Sequence, residues 1–343
     1  MGLLRLLLAL SVVIAHTTNI FGYSLLGARM SVQAFFIISG FYMALVINEK
    51  YSLIKNSYKL FITNRFLRIY PIYLVVLVIT LVFNLTGIDS QPIRQTQPFL
   101  LNLIKNLWLF PSLDPWLYIP DIYGGLIVFQ AWTLSLEMQF YLVAPLLVKL
   151  QGKALMLLVL ASVASRIYFT HPIRFYPDMM IDSFIPTEAI FFLMGIWSYK
   201  LYSKIKNLNI DTRVLKLSYF GFIGFTFLFQ YLSLKVDVIN YFFPRTLEWS
   251  YYIALMVSIP LMFSFTSGSK WDKLLGDLSF PVYISHALII TGLVFGGLSK
   301  NNDGHKVLII ICVLVFSYLL NRYIATPIEK FRQKRILSTK VNY

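Results

Sequence analysis

Apolar runs dominate this chain, and they recur at a length that suits a bilayer. Ten segments are long and apolar enough to cross about 30 Å of hydrocarbon as helices: roughly residues 4–23, 30–48, 68–87, 125–148, 153–170, 183–202, 214–233, 247–266, 278–298 and 307–325. No internal repeat is evident, and no linker separates two domains. The expected fold is therefore an all-α polytopic membrane protein, with a transmembrane domain over residues 1–328 and a short basic tail over 329–343.

One stretch breaks the rhythm. Between Pro92 and Pro120, the segment Phe99 to Phe110 is apolar but short and is interrupted by Asn102, Lys105 and Asn106. That pattern fits an interfacial or re-entrant helix better than a span. Charge placement supports the choice. With ten spans and an inner N-terminus, most of the 30 lysines and arginines fall on the inner side, including Lys50, Lys55, Lys59, Arg65 and Arg68. Were the short segment a span, the basic tail would face outward, against the positive-inside rule. Both termini are expected in the cytosol.

Composition narrows the class further. The chain is 58% hydrophobic and 13% charged, which excludes an ordinary soluble domain. A net charge of +15 raises nucleic acid as a partner, but the basic residues lie between apolar segments rather than on one amphipathic face. They are topology signals, so membrane lipids and no nucleic acid are the expected surroundings. Cys312 stands alone, which precludes an intrachain disulfide, and no metal-ligand cluster is suggested. The N-terminus resembles a signal peptide, but apolar sequence resumes at once and no small-x-small site with a polar flank follows. A retained first helix is expected.

Against this apolar background the ionisable residues are few, and each one needs a reason. Arg5 and His16 are eleven residues apart, about 16.5 Å along a helix and on nearly the same face. With Arg5 at the inner surface, His16 falls near the midplane, where an ionisable group is by default functional. Arg65 and Arg68, at i and i+3, can direct two guanidinium forks at one polyanion; an ordinary positive-inside cluster explains them equally well. Glu137 sits near the middle of the fourth segment and must be protonated, paired or facing a wet cavity. Its structural alternatives are ion pairs with Arg166 or Arg322. His286 lies inside the ninth segment, where a bond to a backbone carbonyl alone would satisfy it. Glu188 and Glu248 lie near span ends and are expected to be solvated, while His171 and His305 fall in outer loops. Ser39 and Gly40, small among bulky neighbours, provide for close helix approach.

Several motifs then occur in a characteristic order. Arg5 to His16 is followed by Phe35-Phe36-Ile37-Ile38-Ser39-Gly40-Phe41 and by Arg65-Phe66-Leu67-Arg68-Ile69-Tyr70-Pro71. Next come Trp132-Thr133-Leu134-Ser135-Leu136-Glu137 with Phe140-Tyr141 and Pro145, then Phe192-Leu193-Met194-Gly195, Pro281 to His286 and Pro327-Ile328-Glu329. Together they resemble the integral-membrane acyltransferase family 3, the O-acyltransferases that decorate bacterial surface saccharides. The resemblance implies an acyl-CoA donor, acetyl-CoA in the simplest case. It also implies a surface or lipid-linked saccharide as acceptor and a bacterial cytoplasmic (inner) membrane location. Some members carry an extra extracytoplasmic esterase-like domain; this sequence ends soon after its last span, so the membrane part is expected to complete the transfer.

The mechanism that follows places the donor's phosphates against Arg65, Arg68 and Arg5, with the thioester reaching toward His16. His16 acts as general base, Glu137 orients or stabilises it, and His286 is an alternative base or an oxyanion donor. No metal is expected to take part. The rival from another class is a proton-coupled transporter or a flippase for lipid-linked glycans, with His16 and Glu137 as a proton relay. The outer aromatics Trp108, Trp116, Tyr118 and Tyr123 suit a saccharide or, more simply, an interfacial aromatic belt.

Overall fold

The computed structural model describes residues 1–52, 54, 57–88, 99–109, 126–170, 178–235 and 246–341. Among these, the regular elements are all helical: α1 (Gly2–His16), α2 (Gly27–Val46), α3 (Ser57–Leu85), α4 (Phe99–Trp108), α5 (Trp132–Leu147), α6 (Gly152–Thr170), α7 (Asp178–Ser183), α8 (Ile185–Ile205), α9 (Thr212–Lys235), α10 (Thr246–Thr266), α11 (Lys270–Phe295), α12 (Asp303–Leu320) and α13 (Thr326–Val341). Lys55, Trp116, Tyr118, Tyr123 and His171 lie outside the described residues.

Among the described residues, 7 helices are long and apolar enough to cross a membrane: Gly27–Tyr51, Ser57–Leu85, Gly152–Thr170, Thr212–Leu232, Leu247–Thr266, Lys270–Phe295 and Asp303–Thr339. The sequence pattern led to ten, and the other three correspond to α1, α5 and α8. The first two have 15 and 16 residues, about 22 and 24 Å, short of the hydrocarbon thickness. Helix α8 is long enough but carries Glu188, Lys200 and Lys204. Hydropathy overestimated the first segment because the apolar run of residues 4–23 is not one helix. It stops at His16 and continues through a turn with positive φ at Thr18, Asn19 and Phe21.

The chain divides into two compact units. One comprises Met1–Tyr42, Phe191–Tyr283 and Ser299–Leu314; the other comprises Met43–Ile190, Ile284–Leu298 and Val315–Tyr343. In the first unit, the free N–H groups at the start of α1 are met by the Asp272 carboxylate, which accepts from Gly2 N at 2.6 Å and Leu3 N at 3.1 Å. Tyr219 donates to the same carboxylate at 2.8 Å. Helices α2 and α8 cross backbone to backbone at two glycines. A Cβ added to Gly40 would lie 2.1 Å from the Phe192 carbonyl oxygen, and one on Gly195 2.1 Å from that of Ile37. The close approach expected at Ser39-Gly40 is present, and the Phe192–Gly195 motif is its other half.

In the second unit, α3 begins at Ser57, well before the span expected from residue 68. The polar turn around Lys59, Asn64 and Arg65 is helical but not apolar, so a hydropathy window overlooks it. Helix α4 has 10 residues, about 15 Å, and is too short to cross by itself. Asn106 anchors it: Tyr73 Oη donates to the Asn106 carbonyl at 2.8 Å, and Ile127 N donates to its Oδ1 at 2.9 Å.

Two wide, π-helical turns complete this unit. Ile47–Tyr51 extends α2, and Asn321–Ala325 joins α12 to α13. The continuous Asp303–Thr339 run has 37 residues, about 55 Å, so its C-terminal part extends beyond an apolar layer about 30 Å thick. The expected start of the basic tail, at residue 329, falls inside α13.

Candidate functional site

The second unit gathers cations where α3 meets α13. Arg65, on α3, is only 4% exposed. Its guanidinium lies over the rings of Phe61 at 5.1 Å and Tyr141 at 5.4 Å, and its Nε has no hydrogen-bond partner among the described residues. Ring faces offer a cation about 0.5–2 kcal/mol, less than the several kcal/mol lost in leaving water. A buried guanidinium held this way has capacity for an anion. Arg68, one helical turn on, lies within electrostatic reach of Arg65.

Glu137 joins the same site through Tyr141. The Tyr141 hydroxyl donates to Glu137 Oε1, while the ring faces Arg65, so one tyrosine connects carboxylate and guanidinium across α3 and α5. Glu137 is half-buried. Of the two cations considered as its structural partners, Arg166 holds Glu188 at 2.6 Å and Asp182 at 3.4 Å. The exposed Arg322 leans on the Tyr318 hydroxyl at 3.4 Å. Glu188 was expected to be solvated and is instead 1% exposed. The correction has a simple cause: a carboxylate near a span end is free to be wet only if no cation on a neighbouring helix claims it, and Arg166 on α6 does.

His286 is also in the second unit, 1% exposed. On the same stretch of α11, the Ser285 hydroxyl lies 3.2 Å from that of Ser317 on α12, and Gln130 donates to the Ile284 carbonyl at 2.6 Å. Pro281 lies about one turn earlier in the same helix.

His16 and Arg5 belong to the first unit. Arg5 stacks over Tyr42 of α2, 5.9 Å from the ring centroid. His16 is the last residue of α1 and is exposed, which corrects the expectation of an imidazole buried within a long helix. The reason is the early end of α1, which leaves the imidazole at the turn that follows the helix. There Lys300 is its electrostatic neighbour, and Thr18 donates to the Lys300 carbonyl at 2.9 Å. Glu248, the other acid near a span end, approaches Arg29 to 3.9 Å with both side chains a quarter exposed.

Sequence reading assigned no role to Tyr141, Tyr51, Asn64 or Arg332, all of which border the arginines. Asn64 donates to the Tyr51 hydroxyl at 2.9 Å, and Arg335 of α13 donates to Asn64 Oδ1 at 3.0 Å and Thr63 Oγ1 at 3.2 Å. Arg332 lies within electrostatic reach of both Arg65 and Arg68. Only Tyr141 carried a local signal, being four residues after Glu137 and so on the same helical face.

A stretch of 126 residues is 32% identical to the acyltransferase MdmB of Streptomyces mycarofaciens. That alignment covers 36% of this chain and 29% of the Streptomyces protein, well under two thirds of its length. No solved structure matches. The model of acyltransferase family 3, described as an acyltransferase domain, matches residues 1–323, and the chain therefore belongs to that family.

Proposed function

We propose that this protein is a membrane O-acyltransferase that takes an acyl group, acetyl in the simplest case, from cytosolic acyl-CoA. It delivers that group to a hydroxyl of a surface or lipid-linked saccharide in the bacterial cytoplasmic membrane. The observation that carries the reading is the buried Arg65, which has ring faces but no acceptor for its Nε, beside Arg68. The diphosphate of a CoA thioester would supply the missing charge with two or three oxygens in reach of the forks. Both termini then face the cytosol, and α1, α5 and α8 complete ten membrane segments with the seven longer helices.

In this reading His16 removes the proton from the acceptor hydroxyl as its oxygen attacks the thioester carbonyl. The carbon–sulfur bond breaks, the CoA thiolate leaves and takes up a proton, and an ester remains on the saccharide. Exposure of His16 suits this task, since the acceptor must reach it. His286 is the alternative base or a donor to the developing oxyanion. Glu137 holds Tyr141 and through it Arg65. Tied in this way, its contribution is to position the donor site.

The test uses purified protein in lipid nanodiscs with radiolabelled acetyl-CoA and a saccharide acceptor, alongside the ester content of surface polysaccharide from cells with and without the gene. His16→Ala should lower transfer about 10²- to 10⁴-fold with CoA binding retained. Unaltered surface ester content, together with no acetyl-CoA turnover, would overturn the reading.

A further inference from the structure

The donor site described above ends at α3, yet the structure continues it onto α13. Arg332 pairs through Nη1 with Glu329, one turn away on its own helix, and Gln333 Nε2 also donates to that carboxylate at 2.9 Å. The Arg332 side chain is 11% exposed, and its Nε, like that of the more deeply buried Arg65, has no hydrogen-bond partner among the described residues. Two buried guanidinium groups on different helices, within electrostatic reach of each other, are thus short of acceptors on their Nε edges.

The neighbouring charges are mostly positive. Among the described residues, the cations Arg65, Arg68, Arg332 and Lys50 lie within electrostatic reach of one another or of the carboxylates Glu137 and Glu329. The placement is built, not incidental. Arg335 clamps α13 onto α3 through Asn64 and Thr63, and Asn64 is itself held by Tyr51. The clamp holds α13 against α3, and with it the face that carries Arg332.

We propose that Arg332 binds a phosphate group of the acyl donor together with Arg65 and Arg68, and that Glu329 is an internal stand-in which gives up Arg332 when the phosphate arrives. This rests on the acyl-CoA reading and extends it to a residue on the last helix. Before binding, Glu329 shares its charge between Arg332 and Gln333; a dianionic phosphate offers Arg332 two acceptors at once. Glu329 therefore competes with the donor, and its removal should favour binding.

The experiment measures equilibrium binding of CoA to the full chain in nanodiscs of zwitterionic lipid. Inorganic pyrophosphate serves as competitor, and thermal melting monitors the fold. Arg332→Ala should weaken CoA binding at least about tenfold, as expected for losing a charge-assisted hydrogen bond, with kcat for acetyl-CoA changed far less than KM. Arg332→Lys should recover part of the affinity, since it restores charge without the fork. Glu329→Gln should bind CoA at least as tightly as the wild type. Unchanged CoA affinity in folded Arg332→Ala, with binding lost in Arg65→Ala, would overturn the role of Arg332 and spare the acyl-CoA reading. No CoA binding by the wild type would overturn both. Binding that appears only as stabilisation by anionic-lipid nanodiscs, with CoA and pyrophosphate inert, would assign the site to a lipid headgroup and also overturn the proposal.

Discussion

Two buried arginines in the second unit are solved in opposite ways. Arg166, on α6, is enclosed by two carboxylates at 2.6 and 3.4 Å and by the Thr187 carbonyl at 3.3 Å. Arg65, on α3, is enclosed by two aromatic rings, and its Nε has no acceptor among the described residues. A buried charge must be neutralised by something, and removing one member of a satisfied pair leaves the other stranded at a cost of about 3–5 kcal/mol. Where the chain supplies the counter-charge the arginine is part of the scaffold. Where it supplies only a half-buried carboxylate reached through a tyrosine, as Glu137 is for Arg65, the unmet Nε edge is left for a ligand. Burial alone does not separate these cases; the list of acceptors does.

The contrast breaks most visibly at Arg166. Arg166→Ala should destabilise the protein by about 3–5 kcal/mol, because Glu188 and Asp182 keep their charges without a partner. Thermal melting in detergent checks it, and a fully stable variant would erase the distinction. Next in size, Arg65→Ala should cost CoA binding about 1.5–3 kcal/mol, or more than tenfold, with melting little changed or raised. A loss of stability as large as that of Arg166→Ala would make Arg65 scaffold as well. Tyr141→Phe keeps the ring over Arg65 but removes the bond to Glu137, so a smaller loss of about 1 kcal/mol in donor affinity is expected from binding isotherms. Smallest of all, Lys50→Ala should alter CoA affinity by under about 1 kcal/mol, and that difference should vanish in high salt, since Lys50 is exposed.

How far the sequence revealed this site depends on how far apart its members are along the chain. Arg65 and Arg68 were legible because i, i+3 spacing fixes their relation within one helix. The crossing at Gly40 was legible because small residues amid bulky ones have few other uses in an apolar helix. The segment Phe99–Trp108 was legible as non-spanning because length alone decides it. Arg332 was hidden among the basic residues of a region that looked like a topology signal, and its relation to Arg65 is a tertiary contact across most of the chain. Glu188 was misjudged for the same reason, since Arg166 lies on another helix. The end of α1 at His16 was hidden because Thr17 to Tyr23 is apolar enough to pass for more of the same span. Hydropathy reports where a segment is at ease, not where its backbone stops being helical.

The turn at Asn321–Ala325 has a consequence for how the last helix is aimed. A π-helical turn amounts to one residue inserted into an otherwise ordinary α-helix. The same residues wound as regular α-helix would turn everything downstream by roughly a quarter turn, since a residue in the wider π turn advances less than about 100° around the axis. Arg332 and Arg335 would keep their positions along the helix but face a different direction. The bearing of the C-terminal cations is therefore set by a phase offset upstream, at residues that need not touch phosphate at all.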